Sequence, residues 1–113
     1  MRTGTGRFWG ETGADCEDLA RHDTAGITLE SAKWLVEQCG AILIGSDTST
    51  VEVVPFQEFV HVYLLVEQGV PLGELHYLEH LSKEHVYEFA YFATTNKIKG
   101  AAAGVAMRPT AVY

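Results

Sequence analysis

The sequence predicts a mixed α/β fold, a β-sheet with two or three helices packed on it. Three observations carry this. A helical run from Thr28 ends at Gly40 and passes at once into the apolar run AILIG, residues 41–45. A second helical run opens near Pro55 and stops before Gly69. Two extended segments close the chain, VYEFAYFATT at 86–95 and VAMRPTAVY at 105–113. Helix, glycine and apolar strand in quick succession form an α/β packing unit.

The chain has 113 residues, is 47% hydrophobic and 20% charged, and reads as one domain spanning 1–113. That composition fills a core and is unlike that of disordered chains. A net charge of −7 argues against a nucleic-acid partner, because a phosphate backbone needs clustered Lys and Arg. There is no signal-peptide pattern and no apolar run near the ~18 residues that a membrane span requires. Cys16 and Cys39 form no short-spaced metal pair and read as reduced thiols, which places the chain in the cytoplasm.

In chain order, RTGTGRFWGETG at 2–13 is glycine-rich and turn-forming, with a brief strand around Arg2–Gly4. Its G-x-G lacks the preceding strand and third glycine of a dinucleotide loop. Residues 14–25 are polar, a short helix or loop. Thr28 is an N-cap, Glu30 sits in the first turn, and Leu29, Ala32, Leu35 and Val36 recur at helical spacing. Gly40 ends that helix. SDTSTVE at 46–52 is a polar loop at a strand end. Pro55 opens the second helix, FQEFVHVYLLVEQ, whose apolar side carries Val60, Leu64 and Leu65 with His61 beside it. Residues 70–72 are extended, Gly73 allows a bend, and Leu75, Leu78 and Leu81 mark a short helix ending near Ser82. The aromatic-rich 86–95 is a strand, and Pro109 puts the last strand at an edge or bulge.

The densest cluster of ligand-type side chains is GELHYLEH, residues 73–80. HYLEH fits the H-x-x-E-H pattern of one group of zinc peptidases. Such a site needs a long buried helix and a third, distant ligand. Here the helix is about two turns long and strand-like sequence follows. His76 and His80 are therefore expected at the surface of a short helix. Residues of the nucleophile-elbow and P-loop types are absent.

RTGTGRFWG, then AGITLESAKWLVEQCGAILIGSDTSTVEV, then HVYLLVEQGVPLGEL with YEFAYFATTNKIKGAAAGVAMRP, follow one another along nearly the whole chain. Together they resemble the C-terminal half of the cyclase family, metal-dependent hydrolases that include bacterial kynurenine formamidase and isatin hydrolase. The resemblance implies half of that family's swivelling β/β/α fold. It also implies a metal-ligand pair, a histidine at the head of the L-L-containing segment and a glutamate shortly after it, which here are His61 and Glu74. An imidazole and a carboxylate suit Zn²⁺ or Mn²⁺. In the family such a metal acidifies a water and polarises an amide, formamide or cyclic carbonyl for hydrolysis. Phe8, Trp9 and Asp47 are candidates for the lining of the substrate pocket.

The family's main metal motif, H-x-G-T-H-x-D-x-P-x-H, belongs to its N-terminal half and does not occur in this chain. The family's E-N is Glu74-Leu75 here, its L-P-L-K is TTNK at 94–97, and its glycine turn is GAAAGV at 100–105. The expectation is therefore a truncated or split hydrolase for a small-molecule substrate, inactive alone. Its sheet edge would be covered in a homo-oligomer or by a complementing N-terminal chain. The alternative is a non-catalytic oligomeric binding or structural protein that retains the scaffold.

Overall fold

The computed structural model describes residues 1–9, 24–56, 58–101 and 104–113. Within them the chain is mixed α/β, with few helices and two small sheets in place of one. It divides into two compact units, Met1–Glu79 and His80–Tyr113. The segment expected to be a helix or loop, 14–25, lies outside the described residues except for Thr24 and Ala25.

In the first unit, helix α1 runs Leu29–Glu37. Thr28 caps it, its side chain accepting from the Ser31 N–H at 3.3 Å. Ala32 is fully buried, while Leu29, Leu35 and Val36 pack partly against the core, so the helical stripe read from sequence faces inward. Gly40 adopts φ 67°, and the Ala41 N–H reaches back to the Leu35 carbonyl at 3.0 Å, closing the helix. Strand β1, Ile44–Gly45, follows and pairs in parallel with β2, Leu72–Gly73. Of AILIG, only its last two residues join a ladder. Parallel strands need a long crossover, and residues 46–71 supply it. The core is Ile27, Ile44, Val51, Val60, Leu64 and Val70, with Ala32 and Tyr63.

The crossover differs from the helix expected after Pro55. Val54–Pro55 is a cis bond in a loop. The backbone before it is committed elsewhere: Thr24 bridges Val54 and Ile27 bridges Glu52. The helical turn begins only at Val60 and His61, and residues Val62–Glu67 wind as a π-helix. There the Gln68 N–H reaches the Tyr63 carbonyl at 3.0 Å. Gly69, at φ 66°, ends it as Gly40 ends α1, with the Val70 N–H on the Leu64 carbonyl at 2.7 Å.

At the start of the chain the brief strand expected around Arg2–Gly4 is not formed; those residues are irregular, and a 3₁₀ turn, Thr5–Trp9, follows them. The reason is a side chain, Asp47, which gathers the amides of Thr3, Gly4 and Gly6 around one carboxylate. Arg2 adds a bidentate pair with Glu79 at 2.9 and 2.8 Å.

The helix expected over Leu75–Ser82 is shorter, α2 at Glu79–Lys83. Leu75 has φ 54°, which no right-handed helix accommodates. In the second unit, β3 (Ala90–Thr95) and β4 (Met107–Val112) form an antiparallel ribbon, register Ala90↔Val112 to Thr95↔Met107. Both expected strands are present, and Pro109 sits opposite Ala93 in a two-stranded ribbon, where each strand has an open edge. No helix among the described residues is long and apolar enough to cross a membrane.

Candidate functional site

Glu52, His61 and Glu74 meet in the first unit. Glu52 lies in the loop after β1, between the fully buried Val51 and the half-buried Val53. The pairing of its backbone with Ile27 turns its side chain inward, and it is only 5% exposed. One carboxylate oxygen, Oε2, accepts from the Val60 N–H at 2.8 Å. The other, Oε1, lies 2.5 Å from His61 Nδ1. His61 stands at the head of the π-helix, its side chain 34% exposed. Its far nitrogen, Nε2, lies 3.4 Å from Glu74 Oε1. Glu74 directly follows β2, its side chain 39% exposed. A histidine is thus held between a buried carboxylate and a solvent-reaching one.

His61 and Glu74, thirteen positions apart in sequence, are brought together by the parallel crossover. Their 3.4 Å separation is long for a charge-assisted hydrogen bond, which runs about 2.7–2.9 Å. It does match the spacing of two metal ligands: groups about 2.0–2.1 Å from a tetrahedral Zn²⁺ lie roughly 3.3–3.4 Å from one another. The pair therefore fits two corners of such a shell. Among the described residues no group of three or more His, Cys, Asp or Glu is arranged to hold a metal ion.

Asp47 is fully buried and its carboxylate accepts four hydrogen bonds. They come from the Thr3 N–H at 2.7 Å, the Thr3 hydroxyl at 2.8 Å, the Gly4 N–H at 2.9 Å and the Gly6 N–H at 3.3 Å. Burial pushes its carboxyl up, and the donors of Thr3, Gly6 and Gly4 together outweigh that and hold it below the usual 3.8. Phe8 is half-buried in the 3₁₀ turn, with the Arg7 guanidinium 4.8 Å from its ring centre. The side chain of Trp9 lies outside what the structure describes.

His76 corrects an expectation. It is 7% exposed, not a surface residue, and it lies before α2 rather than on it. Its N–H donates to the Ser46 carbonyl at 2.9 Å, and its ring fills the space that Gly45 leaves by having no side chain. A Cβ on Gly45 would come 3.3 Å from the ring. Burial lowers the His76 pKa, opposed by hydrogen bonding of the ring to the main chain at Ser46, Gly73 and Glu74 and helped by the Met1 amino group. His80 is exposed, as expected. With His76 buried ahead of the helix, HYLEH does not form an H-x-x-E-H helix face.

Sequence reasoning missed Glu52. The local pattern hides it: in Val51-Glu52-Val53 the glutamate takes the face opposite the two valines, which strand alternation reads as the solvated one. Its contacts with Val60 and His61 reveal its role.

Comparison of the chain with family models, with curated proteins and with solved structures gave no match.

Proposed function

We propose that this chain carries one side of the metal site of a cyclase-like hydrolase, acting on an amide, formamide or cyclic carbonyl compound. The observation that carries the reading is the pairing of His61 Nε2 with Glu74 Oε1 at ligand spacing. The sequence resemblance supports it independently, because it selects the same two residues. A bound Zn²⁺ or Mn²⁺ would supply Lewis acidity at the carbonyl and an acidified water. His61 would present a neutral nitrogen and Glu74 a charge-neutralising oxygen. A catalytic site needs about three protein ligands. The remaining ones are assigned to a complementing polypeptide of the H-x-G-T-H-x-D type, and the fold to half of the family's swivelling β/β/α architecture.

The experiment is metal titration of the purified chain, alone and with a candidate complementing chain. Cobalt(II) absorption reports the ligand set. The expected result is weak cobalt binding that is lost in His61→Ala and strengthened on adding the complementing chain, with formamide hydrolysis appearing only in the mixture. Failure of both samples to bind metal would overturn the reading and leave the non-catalytic scaffold as the better account.

A further inference from the structure

We propose that Glu52 is the positioning residue for His61, fixing its tautomer so that the Nε2 lone pair faces Glu74. An ionised carboxylate is an acceptor at both oxygens. Oε2 already accepts from Val60, and Oε1 lies 2.5 Å from Nδ1. On the neutral ring the proton must then sit on Nδ1, which leaves Nε2 bare. Nε2 faces a second carboxylate oxygen at 3.4 Å. On the neutral ring two electron-rich atoms face each other there, an arrangement that a proton on Nε2 or a metal cation between them relieves. A histidine whose far nitrogen is held by a carboxylate is the usual support for a metal-binding imidazole.

The backbone anchors the supporting carboxylate. Gly26 lies so close to Glu52 that a Cβ on it would come within 2.1 Å of the Glu52 carbonyl carbon, and the neighbouring Ile27 bridges Glu52. Glu52 is thus set by main chain and burial, His61 is set by Glu52, and His61 and Glu74 both reach solvent. The metal-binding reading above enters this inference only in the purpose of the bare Nε2. The tautomer itself follows from Glu52.

Glu52→Gln tests the assignment with almost no change of shape. A glutamine has one acceptor oxygen, which Val60 N–H claims. Its amide NH₂ then faces Nδ1 and donates to it, driving the ring proton to Nε2. The measurement is the ¹⁵N correlation pattern of the His61 ring in the metal-free chain, at the alkaline end of its titration. The expected result is Nδ1–H in the native protein and in Glu74→Gln, and Nε2–H in Glu52→Gln. Cobalt affinity of the Glu52→Gln chain should fall about 10–100-fold. Nε2–H in the native protein overturns the assignment, and that result needs no folded variant. Nδ1–H retained in a folded Glu52→Gln protein overturns it as well. Native protein that shows Nδ1–H yet binds no metal would sink the hydrolase reading and leave the role of Glu52 standing.

Discussion

Leu75 stands next to the candidate ligand Glu74 with φ 54°. That region is costly for a bulky L-residue, by roughly 1–2 kcal/mol, and glycine and asparagine tolerate it best. Leu75 is 42% exposed, so little apolar burial offsets the strain. Leu75→Asn should therefore raise stability by about 1 kcal/mol, read as a higher urea midpoint with unchanged slope. An unchanged or lower midpoint would show that its side-chain packing outweighs the backbone cost. Asp47 illustrates the same scale from the sequence side. An acidic residue in a polar loop looks available for a ligand, yet its four acceptor bonds tie the start of the chain to the loop after β1. No local pattern announces a carboxylate whose partners lie more than forty positions away.

At the scale of elements, α1 was legible because its determinants are local. Thr28, the periodic apolar residues and Gly40 act within a few positions of one another. The two strands of the ribbon were legible for the same reason, through composition and turn residues. The π-helix and its late start were not. They depend on Thr24 and Ile27 pairing with residues 52–54, a contact between segments that sequence periodicity does not report. That contact is also tight. A methyl group at Gly26 would meet Glu52 backbone atoms at 2.1 and 2.4 Å, and backbone cannot yield as a flexible side chain does. Gly26→Ala should cost about 3 kcal/mol or more, beyond ordinary overpacking. It should also loosen the hold of Glu52 on His61. Urea denaturation checks the first expectation, and the His61 ring correlations check the second. A cost below about 1 kcal/mol would mean the 24–27 segment shifts freely.

Across the molecule, two buried titratable groups, His76 and Asp47, make stability depend on pH. The His76 pKa is lowered from 6.5, chiefly by burial, so the unfolded chain takes up that proton first. Its contribution is complete above about pH 6.5 and is lost as pH falls from there through the folded value. The Asp47 carboxyl titrates below its ordinary 3.8 in the folded state, again leaving the unfolded chain the better proton acceptor. Its contribution is present above that value and is lost as pH falls through the lower, folded one. Denaturant midpoints should therefore decline in two stages on acidification. His76→Gln should flatten the first stage and Asp47→Asn the second. A single stage unaffected by His76→Gln would show that the His76 ring is not held neutral by burial.

The amino-acid sequence by itself determined the mixed α/β class, α1 with both its ends, and the two strands of the ribbon. These follow from short-range chemistry, from periodicity and from residue order along the chain. Tertiary structure alone decided that β1 and β2 pair in parallel and bring His61 Nε2 to 3.4 Å from Glu74. It decided that Glu52 stands behind that histidine, that Asp47 is spent on the chain's own start, and that His76 is buried. Each of these depends on which carboxylate or ring meets which distant backbone, and such meetings are set by packing between segments far apart in sequence.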